Sequence, residues 1–216
     1  MTRWAMVIDL KRCIGCWACT IRCKQEHYLP PWVFWNRVLI GETGKYPAVS
    51  KEMFPVLCNH CKEAPCVKAC PTGATSRRED GIVAIDYDKC MGCRYCLIAC
   101  PYQARTYYDN EQEYFPGQGL SPWEILGREL YPLQKGTMVK CNFCMERIDQ
   151  GITKGLQPGI DREATPACVN ICPTTARVFG DLDNPRSEVS RLIREKGGTP
   201  LHPEFGTEPS VYYLSY

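Results

Sequence analysis

The chain has 216 residues, of which 44% are hydrophobic, so it is long enough and apolar enough to bury a core. Its 26 basic and 24 acidic residues leave a formal net charge of +2, which excludes the broad positive field typical of nucleic-acid-binding proteins. No apolar run approaches the roughly 18 residues that a membrane-spanning helix needs, so we expect no direct membrane span.

The chain opens on an alternating segment. Residues 4–9 read Trp-Ala-Met-Val-Ile-Asp, a pattern that predicts a strand. A secretory signal has a basic start, an apolar middle and a small-residue cleavage site, and none of these stands ahead of that strand. We therefore expect the chain to carry no export signal of its own.

Sixteen cysteines are the main chemical feature of the sequence. Reducing compartments keep thiols free and use cysteine for metal binding or catalysis, so metal is favoured over disulfides. Two groups share the spacing C-x2-C-x2-C-x3-C, namely Cys13, Cys16, Cys19 and Cys23, and Cys90, Cys93, Cys96 and Cys100. That spacing is the bacterial ferredoxin run, in which three thiolates hold one [4Fe-4S] cluster and the fourth reaches a neighbouring cluster.

The other two groups are the same run with a loop inserted. One has four residues before its third member, and the other has 23 residues (145–167) between its halves; they are Cys58, Cys61, Cys66 and Cys70, and Cys141, Cys144, Cys168 and Cys172. Three groups end in Cys-Pro with alanine at the same distance beyond it, which indicates an internal repeat. Structural zinc is the rival interpretation, but it usually takes two separated C-x2-C pairs.

The segments between the groups predict a mixed fold. A strand-turn-strand is predicted over 75–86, with its turn at 79–81 and its second strand over 82–86. Further strands are predicted over 105–108, 177–179 and 211–214, and an amphipathic segment over 187–195 is expected to pack on the outside of the core. Gly- and Pro-rich composition predicts irregular insertions over 115–136 and 151–166. The fold class is therefore α+β with long irregular loops.

Cross-ligation pairs the four groups into two modules. The second and third groups lie within 58–100, close to the size of a two-cluster ferredoxin, and the other two groups remain for an outer module. We expect an outer module over residues 1–50 and 137–216, an inner one over 51–110, and an insertion loop over 111–136. The predicted ligand sets are Cys13, Cys16, Cys19 and Cys172 (cluster 1), Cys141, Cys144, Cys168 and Cys23 (cluster 2), Cys58, Cys61, Cys66 and Cys100 (cluster 3), and Cys90, Cys93, Cys96 and Cys70 (cluster 4).

Three other features have simpler interpretations. His60 lies between two cysteines and could ligate iron, but four cysteines are already available, so it is interpreted as a neighbour of the cluster or a surface residue. The aromatic segment 28–35 either docks a partner or covers the first cluster. Arg77 and Arg78 are interpreted as a solvated hairpin tip.

The chain resembles the four-cluster iron-sulfur electron-transfer subunits of molybdopterin oxidoreductases of the dimethyl sulfoxide reductase family. The resemblance runs from about residue 4 to the C-terminus. It rests on M-V-I-D-L-K-R-C-I-G-C-W-A-C at 6–19, L-C-N-H-C-K-E-A-P-C-V-K-A-C-P-T-G-A at 57–74, C-M-G-C-R-Y-C-L-I-A-C-P-Y at 90–102, K-C-N-F-C-M-E-R at 140–147 and P-A-C-V-N-I-C-P-T-T-A-R at 166–177.

The resemblance implies a relay without an active site of its own. A large subunit with a molybdenum or tungsten pterin would perform the chemistry, and this chain would pass single electrons through four [4Fe-4S] clusters to or from a membrane anchor with quinone, or another redox partner. Cluster 1 would face the catalytic subunit, and cluster 4 would lie farthest from it. We expect a cytoplasmic location in a membrane-associated complex, or alternatively a periplasmic one reached by export with a signal-bearing partner.

Two functions of other kinds compete with the relay. One is a free soluble polyferredoxin, against which the near-neutral charge argues, since small soluble carriers usually use strong charge for steering. The other is a zinc-stabilised binding module. Iron and sulfide content separates that module from both electron carriers.

Overall fold

Residues 2–109 and 113–215 are described by a computed structural model, and they form the predicted α+β fold. Within these residues, one four-stranded sheet and three two-stranded sheets account for the strands. Most helices are short, and three of them have only four residues. The sheets therefore frame a structure in which much of the chain is loop.

The four-stranded sheet joins the two ends of the chain. Its order is β8-β1-β10-β9, with bounds Trp4–Asp9 for β1, Arg177–Asp181 for β8, Thr199–Pro200 for β9 and Val211–Leu214 for β10. Strand β1 runs parallel to β10 and antiparallel to β8. The predicted strands over 4–9 and 211–214 are confirmed, and the one predicted over 177–179 extends two residues further.

The predicted amphipathic segment forms helix α7, Glu188–Lys196, and it covers one face of this sheet. The side-chain oxygen of Ser187 accepts the Ser190 N–H at its start, and Gly197 ends it in the left-handed conformation. Val189 is fully buried and packs against Val7 and Leu214. The buried face of the helix therefore forms a small apolar core with strands β1 and β10.

A long hairpin was not predicted. Strands β2 (Asn36–Lys45) and β3 (Ala48–Leu57) pair antiparallel from Asn36 with Leu57 out to Lys45 with Ala48. Only the base of the hairpin is buried. Its outer half is exposed and shows no alternation of apolar and polar side chains from which a strand could be predicted. The predicted module boundary between residues 50 and 51 falls inside β3, and the predicted boundary between residues 110 and 111 lies outside the described residues.

Two further pairs of antiparallel strands lie near the second and third cysteine groups. Strands β4 (Thr75–Arg77) and β5 (Val83–Ile85) confirm the strand-turn-strand prediction. Strand β6 (Thr106–Tyr108) starts one residue later than predicted, and it pairs antiparallel with β7 (Thr137–Val139). A separate apolar core of buried side chains lies here, and it includes Val83, Ile85 and Met138.

The prediction that residues 115–136 are irregular is wrong in its centre. Helix α4, Pro122–Leu130, forms there because Ser121 and Glu124 build a reciprocal capping box and Pro122 occupies the first turn. The insertion folds back on the segment after the first cysteine group: the Trp123 ring lies 5.3 Å from that of Tyr28.

The predicted loop over 151–166 begins inside helix α5, Met145–Thr153, and is irregular beyond it.

Arg78 is more than a solvated hairpin tip. Its two terminal nitrogens donate to both carboxylate oxygens of Asp149 on α5, at 2.8 and 2.6 Å, and one of them also reaches Asp80. This fork joins the β4–β5 hairpin to the helix that follows Cys144, so it links the predicted inner and outer modules. Arg77 is exposed and makes no hydrogen bond or salt bridge among the described residues.

Replacing Arg78 by alanine is expected to lower the free energy of unfolding by about 1 kcal/mol, because the pair is bidentate but partly exposed. For a chain of this length, the thermal midpoint should fall by about 2–4 °C. The midpoint is measured from the loss of visible absorbance when the loaded protein is heated. Arg77→Ala is the matched control and should leave the midpoint unchanged. Equal midpoints for the two variants would show that the fork contributes nothing.

Candidate iron-sulfur sites

The third cysteine of each group occupies the second position of a helix. The four helices are α1 (Ala18–Glu26), α2 (Pro65–Lys68), α3 (Tyr95–Ile98) and α6 (Ala167–Asn170), which carry Cys19, Cys66, Cys96 and Cys168. In the last three groups the fourth cysteine comes two residues after the helix ends, and proline follows it. The repeat seen in the sequence is thus a repeat of local structure.

The first group departs from this pattern for a simple reason. Lys24 stands where the others have proline, so nothing interrupts the backbone hydrogen bonds and α1 continues to Glu26. Cys23 is therefore a helical residue, buried on the same helix as Cys19. Its side chain leaves the helix toward the fourth group.

The loops of the first and third groups share an unusual backbone. Gly15 and Trp17 have φ of 66° and 61°, and the equivalent Gly92 and Arg94 have 68° and 64°. Left-handed residues that alternate with ordinary ones turn successive N–H groups toward one side, which creates a concave site for anions. Such a loop suits thiolate and sulfide ligands, whose charge is negative.

Backbone and hydroxyl groups approach the fourth cysteines of two groups in the same way. The Sγ atom of Cys70 accepts the Thr75 N–H at 3.3 Å, and that of Cys172 accepts the Ala176 N–H at 3.2 Å. The hydroxyl oxygen of a threonine two residues beyond each cysteine lies 3.7 Å from its sulfur. Hydrogen bonds to sulfur stabilise the thiolate, which is the form that binds iron.

The structure brings Cys23 to the fourth group. Burial raises the pKa of the Cys23 thiol well above its ordinary value, and the neighbouring thiols of Cys141, Cys144 and Cys168 raise it further. Burial likewise raises the pKa of Cys144, with Cys168 and Cys141 as the next causes. These four side chains are those predicted for cluster 2.

The first group meets Cys172. One cavity is lined by Cys13, Cys16, Cys19 and Cys172 together, and these are the four cysteines predicted for cluster 1. Burial raises the pKa of Cys13, and Cys19 and Cys172 are among the further causes. The fourth cysteine of the chain's last group therefore lies with the first three cysteines of its first group.

The second and third groups also exchange their fourth cysteines. The pKa of Cys61 is raised to about 12, chiefly by burial and then by Cys58, with Cys66 and Cys100 as smaller causes. Cys96 has a raised pKa, again through burial first, and Cys70 and Cys90 contribute. These neighbouring thiols belong to the sets predicted for clusters 3 and 4.

All sixteen cysteines have free thiols. Among the described residues, no three His, Cys, Asp or Glu side chains converge closely enough to hold one metal ion. A four-iron cluster differs from a single ion because its ligand sulfurs stand around the corners of a cube. The cysteines predicted for cluster 1 line one cavity together, as the ligands of a cluster would.

Comparison with known proteins gives full-length matches. An iron-sulfur subunit of Halobacterium salinarum, assigned provisionally to a dimethyl sulfoxide reductase, is 43% identical over 100% of this chain and 80% of its own length. A subunit of the selenate reductase of Mesobacillus selenatarsenatis is 41% identical over 99% of this chain and 72% of its own. The arsenate respiratory reductase iron-sulfur subunit of a Shewanella species is 36% identical over 98% and 96%. The 4Fe-4S dicluster domain family matches residues 49–116.

The chain belongs to the family of iron-sulfur electron-transfer subunits of dimethyl sulfoxide reductase type molybdopterin oxidoreductases. The cofactor prediction is confirmed: this iron-sulfur subunit carries multiple [4Fe-4S] clusters, and its sixteen cysteines are enough for four. The dicluster domain match contains the second and third cysteine groups, that is, the two groups assigned to the inner module. No helix within the described residues of the subunit is long and apolar enough to cross a membrane.

His60 of the subunit is fully buried, so the alternative of a surface residue is wrong. Its Nδ1 accepts the Val83 N–H at 3.0 Å, and its ring stacks on Phe143 with centroids 3.8 Å apart. Burial holds its pKa well below the ordinary range, so the imidazole is neutral and the proton lies on Nε2. Nε2 has no partner among the described residues.

A second buried donor, which lies beside the cysteines, also lacks a partner. The Nη2 atom of Arg105 makes no hydrogen bond among the described residues, and the guanidinium lies next to Cys66 and Cys96. Unpaired buried donors are costly, so they indicate acceptors that belong to a bound group. Sulfide and thiolate are such acceptors, and the site therefore fits the iron-sulfur clusters that the family carries.

The aromatic segment 28–35 has a divided role. Leu29, Val33 and Trp35 are buried, and the Trp35 ring lies 4.6 Å from His27, whose Nε2 is 3.4 Å from the Cys144 sulfur. Trp32, in contrast, is 77% exposed. Most of the segment covers the cluster region, and only Trp32 stands free on the surface of the chain.

Several residues near the clusters were missed by the sequence interpretation. Arg105 and Arg177 directly follow the repeated alanines, in P-Y-Q-A-R and P-T-T-A-R, and Lys140 directly precedes the first cysteine of the fourth group. All three side chains are buried. The recurrence of arginine after that alanine was a visible signal, but a charged residue in a sequence is ordinarily interpreted as solvent-exposed.

Proposed function

We propose that this subunit conducts single electrons along four [4Fe-4S] clusters in the order 1, 2, 3, 4, between a molybdenum or tungsten pterin catalytic subunit and a membrane anchor with quinone or another redox partner. The ligands are the four cysteine sets given above. When bound, each cluster accepts and releases one electron. The protein holds the clusters in line, excludes water from the middle of the line and exposes its two ends.

Contacts between cysteines of different sets support this order. Cys168 of cluster 2 lies near Cys19 of cluster 1, and Cys141 of cluster 2 lies near Cys58 of cluster 3. Arg105 lies near cysteines of both cluster 3 and cluster 4. Each cluster site thus adjoins the next one, and the two middle sites meet where the two modules meet.

Exposure of the cysteines is the observation on which the assignment of the two ends of the wire rests. Cys16 and Cys93 are the exposed members of the sixteen, and the others are buried or half-buried. Cys16 belongs to cluster 1 and Cys93 to cluster 4, so each end of the predicted order has one exposed ligand. An electron carrier needs its terminal centres near the surface, where partners come within transfer distance.

Metal analysis tests the cluster count. Four clusters predict about 16 irons and as many inorganic sulfides per chain in the purified, anaerobically handled protein. Reduced samples should show four one-electron centres by electron paramagnetic resonance (EPR) redox titration. A zinc content that matches the cysteines, or a colourless protein with no sulfide, would exclude the proposal.

A matched pair of surface variants tests the two ends. Ile14 and Met91 occupy equivalent places between the first and second cysteines of their groups, and they are 60% and 67% exposed. Glutamate at either place leaves the core untouched but sets a charge in an apolar contact surface. We expect Ile14→Glu to weaken binding of the catalytic subunit about tenfold or more, and Met91→Glu to spare it.

The same pair also reports on the far partner. Met91→Glu should slow reduction from the quinone side, while electron exchange between the catalytic subunit and cluster 1 stays normal in stopped-flow measurements. If Met91→Glu weakened binding of the catalytic subunit and Ile14→Glu slowed reduction from the quinone side, cluster 4 rather than cluster 1 would face the catalytic subunit. A monomer that binds no large subunit and exchanges electrons equally well in all variants would favour the free polyferredoxin.

A further inference from the structure

Among the residues that the structure describes, three cations are buried, and all of them lie among the cysteines. Arg105, Lys140 and Arg177 are only 5%, 3% and 3% exposed. None of them forms a salt bridge with a carboxylate in the part of the chain that the structure describes. Burying a charge without a counter-charge costs several kcal/mol, so each cation indicates a negative partner of another kind.

Arg177 lies where the sites of clusters 1 and 2 meet. Its Nη1 atom is 3.8 Å from the Sγ of Cys168, which belongs to cluster 2, and its Nη2 atom donates to Asn36 at 2.9 Å. Burial opposes its charge, but the thiols of Cys168 and Cys19 outweigh burial, so the pKa of Arg177 lies above its ordinary value. Cys19 is a ligand of cluster 1.

Arg105 has the equivalent position in the inner module. Its Nη1 atom donates to the Thr75 hydroxyl at 3.2 Å, and Nη2 has no protein partner among the described residues. Burial opposes its charge, and the thiols of Cys66 and Cys96 raise its pKa in compensation. Those two cysteines belong to clusters 3 and 4.

Lys140 lies between the modules. Its Nζ atom donates to the carbonyl oxygens of Val83 in the inner module and Cys141 in the outer one. Burial raises the pKa of the thiols of Cys141 and Cys66, and the charge of Lys140 opposes that rise at both. Cys141 is a ligand of cluster 2 and Cys66 a ligand of cluster 3.

We propose that Arg177, Lys140 and Arg105 are buried counter-charges placed at the three junctions of the wire, each acting on the two clusters that it separates. This rests on the proposed function, because it uses the four ligand sets. A cluster with four thiolates is negatively charged and gains one more negative charge on reduction. A cation between two clusters therefore favours the reduced state of both.

The proposal predicts an overlapping pattern of reduction potentials. Arg177→Gln should lower the potentials of clusters 1 and 2, Lys140→Met those of clusters 2 and 3, and Arg105→Gln those of clusters 3 and 4. We expect the reduction equilibrium of each affected cluster to change by about tenfold or more, which is about 59 mV for a one-electron couple. The other two clusters should keep their potentials.

The measurement is an EPR redox titration of the loaded protein with iron content as a check. Cys16→Ala and Cys93→Ala identify the signals of clusters 1 and 4, because each should remove one four-iron signal. Arg94→Gln is the matched control: Arg94 is adjacent to Cys93, but it is exposed and stacks on Tyr107, so solvent screens its charge. It should shift the potential of cluster 4 much less than Arg105→Gln does.

Conservative variants separate charge from shape. Arg105→Lys, Arg177→Lys and Lys140→Arg should keep both the iron and the potentials. If a neutral variant loses iron while its charged counterpart keeps it, the positive charge is needed to hold the clusters, which supports the assignment as a counter-charge. Unchanged potentials in fully loaded neutral variants, or equal iron loss in both kinds of variant, would overturn the proposal. A wild-type protein with fewer than four clusters would instead refute the proposed function.

Discussion

Replacing Cys23 by alanine is expected to remove cluster 2 and to leave cluster 1 in place, although Cys23 belongs to the first cysteine run in the sequence. The thiols around it are those of Cys141, Cys144 and Cys168, which all come from the fourth group. With one ligand missing, the three remaining thiolates should no longer hold a four-iron cluster at this buried site. We therefore expect iron to fall from about 16 to about 12 per chain.

This loss should interrupt electron transfer along the whole wire. In the proposed order, cluster 2 connects cluster 1 with the inner module, so its absence separates the two ends. Reductant supplied at the far end should still reduce clusters 3 and 4, but it should no longer reach the catalytic subunit. Enzyme turnover with that electron donor should cease, while a small dye should still reduce the catalytic subunit directly.

Thr20→Val is the matched control for this experiment. Thr20 is 1% exposed on the same helix, between Cys19 and Cys23, and its hydroxyl has no partner among the described residues. Valine has nearly the same shape, so all four clusters and turnover should survive. If Cys23→Ala removed cluster 1 instead, each run would hold its own cluster, and the nested arrangement of the modules would be refuted.

The cysteine pattern was predictable because cluster ligation depends on short spacings in the chain. Three ligands of clusters 1, 3 and 4 lie close together in sequence, cluster 2 keeps the short spacings on either side of a 23-residue insertion, and in three groups the proline after the fourth cysteine predicts where the helix must end. The Ser121-Pro122-Trp123-Glu124 capping signal of α4 was also present, but the surrounding glycine and proline residues concealed it. A local signal can be outweighed by composition when the two are judged together.

The hairpin and the buried cations could not be predicted for a different reason. Strands β2 and β3 pair along ten residues each, but much of that length is exposed, so no alternation of apolar side chains marks it. Arg105 and Arg177 are buried only because the chain folds around neighbouring cluster sites. Burial of a charge depends on tertiary structure, and the sequence shows only that the residue is charged.

Gly92→Ala is expected to destabilise the site of cluster 4 strongly, because two costs coincide there. Its φ of 68° lies in the left-handed region, and an added Cβ would overlap the backbone carbonyl oxygen of Gly136. The first cost is about 1–2 kcal/mol and the second about 1–3 kcal/mol, since backbone moves less readily than a side chain. Together they amount to about 2–5 kcal/mol, so the thermal midpoint of the loaded protein should fall by roughly 4–20 °C.

Two other glycines separate these costs. Gly73 has φ of 69° with open space around the added Cβ, so Gly73→Ala should show the conformational cost alone. Gly15 is the counterpart of Gly92 in the first group, but its added Cβ would meet the sulfur of the Met53 side chain at 2.7 Å, and that side chain can move. The expected order of midpoints is therefore Gly73→Ala highest, then Gly15→Ala, then Gly92→Ala. Equal midpoints for Gly92→Ala and Gly73→Ala would mean that the loop yields at Gly136, and that the close backbone approach does not shape the site of cluster 4.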